Sequence, residues 1–192
     1  MLKNVKFIKS VYDKKNLLID DRKQIVLVGK SNVGKSSFIN ALSNNSKLAK
    51  VGSSPGKTRS INYYLVSDEF YLVDLPGYGY SKMSQKEKDS VAKLVDFYLA
   101  SKNVSYIFFL VDIRHKPTSD DRMMYDYLVE YNIPFSIIAN KADKISNKAQ
   151  KENIDIIRKE LFAKEDIIPF SSEKKIGIDE LIKIIDKIIK DE

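Results

Sequence analysis

Three short segments carry residue types whose spacing could bind and cleave a nucleoside triphosphate: Gly29-Lys-Ser-Asn-Val-Gly34-Lys35-Ser36, Asp74-Leu-Pro-Gly77 and Asn140-Lys141-Ala-Asp143. The first fits the phosphate-binding pattern G-x-x-x-x-G-K-[ST]. Gly29 and Gly34 let Lys30, Ser31, Asn32 and Val33 curl with their N–H groups pointing inward. A phosphate chain then meets a ring of donors at the positive end of a helix that starts through Lys35, Ser36 and Ser37. The Lys35 ammonium would reach β- and γ-phosphate oxygens, and the Ser36 hydroxyl is placed to ligate Mg²⁺. In the second segment Asp74 can hold a magnesium-bound water, and Gly77 would offer its backbone N–H to the γ-phosphate. The third segment decides the base. The Asp143 carboxylate can accept from both N1–H and the 2-amino group of guanine, whereas adenine has no matching pair of donors. Asn140 can bond the base and neighbouring loops, and the aliphatic stem of Lys141 can cover the flat ring. A fourth element, Ser171-Ser172-Glu-Lys, has backbone N–H groups that could bond the guanine O6. The ligand these residues predict is GTP or GDP with Mg²⁺.

Each segment needs a strand before it and a loop or helix after it, and the chain supplies both. Strands are expected near 5–8, 24–29, 60–66, 70–74, 104–112, 134–139 and 167–170. Helices are expected near 35–44, 84–101, 118–131, 147–163 and 178–190, the last with Ile178, Leu181, Ile182, Ile185 and Ile189 on one stripe. Alternation of this kind predicts an α/β sheet with helices on both faces. Residues 60–66 and 70–74, separated by Ser67-Asp-Glu, read as a hairpin, so one antiparallel strand should join an otherwise parallel sheet. Residues 1–22 are expected to be a short N-terminal extension and 23–192 a single nucleotide-binding domain. Between the phosphate loop and the hairpin lies a stretch of small residues with Pro55 and Gly56, suited to an order–disorder switch. Thr58 within it is the candidate to bond the γ-phosphate and magnesium.

The bulk composition agrees with one globular domain: 192 residues, 43% hydrophobic, no cysteine. Disulfide frameworks, thiolate metal sites and thiol catalysis are thereby excluded. No stretch approaches the length of a membrane helix and the first residues lack the apolar core of a signal peptide, so membrane insertion is not expected and the expected location is cytoplasmic. The formal net charge of +7 is compatible with an anionic partner such as RNA, although lysines scattered on solvated helices would produce the same count.

Taken together, Gly-Lys-Ser-Asn-Val-Gly-Lys-Ser-Ser (29–37), Ser-Pro-Gly-Lys-Thr-Arg (54–59), Val-Asp-Leu-Pro-Gly-Tyr-Gly-Tyr (73–80) and Val-Asp-Ile-Arg-His-Lys-Pro (111–117) resemble the EngB/YihA/YsxC family of ribosome-assembly GTPases, within the Era/TrmE-like class. The resemblance covers the chain from about Gln24 to the C-terminus. It departs at Asn140, where members commonly carry Thr; Asn is the general GTPase choice. It implies the P-loop GTPase fold, a three-layer α/β/α sandwich on a mostly parallel sheet of six or seven strands. It further implies a monomeric GTP switch that acts in maturation of the large ribosomal subunit, touches rRNA and ribosomal protein, and is linked to cell division and septation. Asn32 lies where similar GTPases hold a K⁺ ion against the phosphates. Lys35, Thr58, Gly77 and Asn32 are therefore the residues expected to serve hydrolysis. Tyr78 follows D-x-x-G where Ras-like switches place a water-orienting Gln, so intrinsic hydrolysis should be slow, on the order of 10⁻⁴ to 10⁻³ per second. The single His115 reads as structural. Two other readings differ in partner or chemistry. A related GTPase acting on tRNA or at a membrane would normally bring an extra domain or an amphipathic segment, and a P-loop phosphotransferase would lack Asn140-Lys141-x-Asp143 and carry an arginine-rich lid.

Overall fold

The strand Gln24–Gly29 (β2) is buried along its whole length, and the sheet is built outward from it. The computed structural model describes residues 1–51, 59–79, 83–101 and 103–190. On one side β2 pairs in parallel with β4 (Phe70–Asp74), on the other with β5 (Val104–Asp112), which is followed by β6 (Phe135–Asn140) and β7 (Ile167–Phe170), all parallel. β3 (Ile61–Val66) runs antiparallel to both β4 and β1 (Val5–Val11), giving the order β1-β3-β4-β2-β5-β6-β7. The sheet thus has seven strands with one antiparallel among them, the P-loop GTPase arrangement. The chain departs from β2 to opposite sides at its carboxyl end, and such a reversal point is where open α/β sheets hold ligands.

Alternation within β2 feeds two cores. Ile25 and Leu27 face α1 (Lys35–Leu42) and α5 (Ile178–Lys190), where Phe38, Ile39, Leu181 and Ile185 bury. Val26 and Val28 face the other side, covered by Leu94 and Tyr98 of α2 (Gln85–Leu99), Leu128 of α3 (Ser119–Glu130) and Ile157 and Leu161 of α4 (Asn147–Leu161). A parallel strand covered on both faces must be apolar throughout, and β2 is, except for Gln24. That amide is satisfied: its oxygen accepts from the Tyr98 hydroxyl at 2.6 Å and its nitrogen donates to Leu18 O at 3.1 Å.

Helix starts follow capping chemistry. Ser84 with Glu87 and Thr118 with Asp121 each form reciprocal capping boxes, and Ser146 caps α4. Two short 3-10 turns, Lys14–Asn16 and Ala142–Lys144, were not expected, and β1 runs three residues beyond its expected end. The reason for the latter is an irregular register between Phe7 and Lys9, which breaks the alternation of this edge strand. No helix of the described residues is long and apolar enough to cross a membrane.

Candidate nucleotide site

β2 ends at Gly29, and the next five residues turn sharply into α1. Asn32 (φ 61°) and Gly34 (φ 113°) both adopt left-handed backbone, the bends that concave N–H nests require. At Gly34 a side chain is doubly forbidden, because an added Cβ would lie 2.4 Å from the Asn140 amide nitrogen. Ser36 and Ser37 sit half-buried in the first turn of α1. Lys35 is 8% exposed and its ammonium donates to Gly29 O at 3.1 Å. Burial pushes the Lys35 pKa down, opposed by the charge of Asp74.

Asp74 closes β4 beside this loop, opposite Leu27 in the strand register. It is 2% exposed, and its Oδ1 has no hydrogen-bond partner among the described residues. Burial pushes its pKa up to about 6, with Lys35 working in the opposite direction. An orphaned carboxylate oxygen near a buried ammonium fits a hard cation bridged to phosphate, the chemistry expected of a Mg²⁺ site. The loop that follows lies on the phosphate loop. The Ser31 N–H donates to Tyr78 O at 2.9 Å, and a Cβ at Gly77 would come within 2.8 Å of the Ser31 nitrogen and 3.1 Å of the Lys35 ammonium. Only glycine allows that approach.

The Tyr78 phenol lies between the Lys30 backbone and the start of α3. Its hydroxyl donates to Asp121 Oδ1 at 2.6 Å, while Asp121 Oδ2 accepts from the Thr118 N–H and hydroxyl. Burial, then the Asp121 carboxylate, raises the Tyr78 pKa far above the ordinary phenol value. Lys30 reaches the same helix start, its ammonium 3.4 Å from the Thr118 hydroxyl.

The third predicted segment arrives at the end of β6. The Asn140 amide donates to Val33 O at 2.8 Å, tying this segment to the phosphate loop, and its own oxygen accepts the Lys141 N–H at 2.7 Å. Lys141, at φ 67°, sends its ammonium to Asp112 Oδ2 at 2.9 Å and Asn32 O at 3.3 Å. Asp112 also receives both arms of Arg114. Burial alone would raise its pKa, but the hydrogen bonds from Arg114 and Lys141 hold it well below the carboxylate range. Asp143 Oδ1 accepts from the Ser171 hydroxyl at 2.5 Å and Oδ2 pairs with Lys144 at 2.8 Å, both of which lower its pKa. Lys144 in turn bridges to Glu173 at 2.6 Å. Ser171 is fully buried, and its backbone exchanges both hydrogen bonds with Ile176; Ser172 beside it is half-buried.

All four predicted segments therefore converge at the carboxyl ends of β2, β4, β6 and β7. Gly56 and Thr58 lie outside the described residues. Asp112, Asp121 and Lys144 were missed as members of the assembly. Asp112 alone carried a sequence signal, an acid closing an apolar strand two residues before an arginine. His115 is exposed, and its backbone N–H closes the turn onto Asp112 O at 3.2 Å.

Comparison with known proteins gives this geometry a lineage. A family model described as "50S ribosome-binding GTPase" matches residues 24–141. A probable GTP-binding protein EngB of Alkaliphilus oremlandii is 51% identical over 168 residues, 86% of this chain and 81% of that one. A crystal structure of a probable GTP-binding protein engB superposes with a TM-score of 0.72 at 25% identity, covering 88% of this chain and all of that one. Era in complex with MgGDPNP and nucleotides 1506–1542 of 16S ribosomal RNA matches at TM-score 0.70 and 28% identity, over 85% of this chain and 55% of that one. With a family model spanning more than half its length and a relative above half identity over most of it, the chain belongs to the EngB family of GTP-binding GTPases.

Proposed function

We propose that this GTPase is a cytoplasmic, monomeric switch that acts in assembly of the large ribosomal subunit, touching rRNA and ribosomal protein, and that normal cell division and septation depend on that step. The observation that carries the switch is the backbone pairing of the Gly77-Tyr78 turn onto Ser31. A change at the terminal phosphate acts first on this pairing and is passed through Tyr78 to the start of α3. The ribosomal partner is supported by the description of the matching family and by the net charge of +7.

Within the site, Lys35 and the N–H groups of 29–37 hold the phosphates, and Gly77 donates to the terminal one. Ser36, Asp74 and Thr58 would hold Mg²⁺, which when bound neutralises charge on the transferring phosphoryl group. Asn140, Lys141 and Asp143 hold guanine, with N–H groups of Ser171 and Ser172 at its O6; Gly56 serves the same switch segment as Thr58. Asp143 is already charged and oriented by Ser171 and Lys144, so little rearrangement is needed when guanine arrives. Tyr78 has committed its hydroxyl to Asp121 and holds no attacking water, which makes unaided hydrolysis slow. Exposed Asn32 is the side chain beside which K⁺ would add positive charge.

The test is co-sedimentation of the full chain with large ribosomal subunits, in GDP and in a non-hydrolysable GTP analogue, at low and moderate salt. Binding that requires the analogue and survives moderate salt is expected. Equal binding in both states that vanishes with salt would reduce the interaction to lysine electrostatics and sink the reading. Turnover measured in K⁺ and in Na⁺ buffers should be faster in K⁺; equal rates would remove the ion from the scheme.

A further inference from the structure

The far edge of the sheet carries a surface that nucleotide binding does not use. Five lysines, Lys3, Lys6, Lys9, Lys14 and Lys15, fall within the first 16 residues against the single Asp13. Asp13 is engaged in its own turn, accepting from the Lys15 N–H at 2.9 Å and the Asn16 amide at 2.8 Å. None of the ion pairs among the described residues involves these lysines. Interleaved with them are exposed rings: Tyr12 is 68% exposed, and Phe97 of α2, 47% exposed, lies under the Lys14 ammonium at 5.3 Å.

Among the described residues β1 pairs only with β3, which leaves its outer backbone edge without a strand partner there. The bulge at Ile8 and the flanking Lys6 and Lys9 are the features that keep a sheet edge from pairing with another strand. A second copy adding a strand is therefore disfavoured. Lysines without an ion pair among the described residues, set beside the exposed Tyr12 ring and the Phe97 ring on which Lys14 already sits, fit a different chemistry: phosphates on the lysines and unstacked bases on the rings, the combination by which single-stranded or looped RNA is held. An RNA duplex would use the charge but leave the rings idle.

We propose that Lys6, Lys9, Tyr12, Lys14, Lys15 and Phe97 form a surface that binds an unpaired RNA segment. This rests on the ribosomal reading above and says which face of the protein meets the RNA. The surface is also wired to the switch. Ser10 donates to Asn62 Oδ1 at 2.6 Å, Ser60 donates to the same oxygen at 3.0 Å, and Arg59 pairs with Glu87 in the first turn of α2 at 2.6 Å. The strand β3 and the helix α2 that flank the RNA surface thus follow in the chain on the segments proposed above to read the terminal phosphate.

The experiment compares the full chain with Tyr12→Ala and with Lys14→Gln/Lys15→Gln, reading fluorescence anisotropy on a labelled single-stranded oligonucleotide of RNA and on its duplex across salt, then co-sedimentation with large subunits. Unchanged GTP turnover in each variant reports that it folds. The single strand should bind more tightly than the duplex. Tyr12→Ala should weaken binding by about tenfold with the salt slope unchanged. The lysine variant should lower the slope of log affinity against log salt by about 0.7 for each lysine removed. Variants that bind RNA and subunits as the parent does would overturn the surface while leaving the ribosomal role intact. A parent that sediments with subunits in neither nucleotide state would overturn both. A dimer in sedimentation velocity that the same variants dissolve would assign the face to a second copy and overturn the RNA assignment.

Discussion

Asp74 is the residue at which the site's chemistry and its stability meet. Its carboxyl is raised from 3.8 to about 6 because it is buried, and the neighbouring Lys35 charge recovers only part of that cost. A carboxyl whose folded value exceeds its unfolded one favours the fold while protonated. Its contribution is complete below the unfolded value and is lost as pH rises through about 6. A divalent cation reverses the preference, since it requires the carboxylate. Binding of Mg²⁺·GDP should therefore release protons between about pH 4 and 6, and affinity should fall toward tenfold per unit as pH drops through that window. Calorimetry in buffers of different ionisation enthalpy measures the protons directly. Asp74→Asn should abolish the release and most of the magnesium dependence, while GDP binding without magnesium persists. Proton release undiminished in that variant would place the titrating group elsewhere.

Among the elements, α3 is coupled through side chains, with Lys30 of the phosphate loop on Thr118 and Tyr78 of the loop after β4 on Asp121. Its first turn holds Asp121, which divides its two oxygens between the capping box with Thr118 and the hydroxyl of Tyr78. Tyr78→Phe removes only the second of these and leaves the helix capped. The predicted cost is about 1–2 kcal/mol, because one oxygen of a buried carboxylate loses its donor. It should be seen as a lower urea midpoint at unchanged slope, with faster amide exchange confined to the start of α3. Loss spread evenly over the sheet would contradict a local tether. This contact also marks how far the sequence could be read. Apart from the edge strand β1 and the two 3-10 turns, strands and helices were legible to within a residue or two because Ile25-Val-Leu-Val28 and the α5 stripe carry strong periodicity and the caps Ser84, Thr118 and Ser146 announce their helices. The four segments proposed to hold the nucleotide stood out in the sequence because each chemistry demands a fixed local spacing. Pairs such as Tyr78 with Asp121, 43 residues apart, or Asp112 with Lys141, 29 apart, follow from strand order and loop packing, which no local spacing encodes.

At the scale of the whole molecule, the nucleotide would tie together what the sheet alone holds loosely. The four loops at the carboxyl ends of β2, β4, β6 and β7 come from segments spread along the chain, and among the described residues they are joined by Ser31 to Tyr78, Asn140 to Val33, Lys141 to Asn32 and Ser171 to Asp143. A ligand touching all four adds its binding free energy to the fold as RT ln(1 + [L]/Kd), about 2.7 kcal/mol at one hundred times Kd. For a domain of this size each kcal/mol moves the midpoint by about 2–4 °C, so saturating Mg²⁺·GDP should raise Tm by about 5–10 °C. ADP should raise it by far less, since the Asp143 carboxylate would then face a base without the paired donors. Asp143→Ala should erase the difference between the two nucleotides by weakening GDP, leaving the shared phosphate contribution that both retain. Equal shifts from GDP and ADP in the parent chain would overturn the role given to Asp143. A GDP preference that survives Asp143→Ala would instead move base selection to Asn140 and the Ser171 loop.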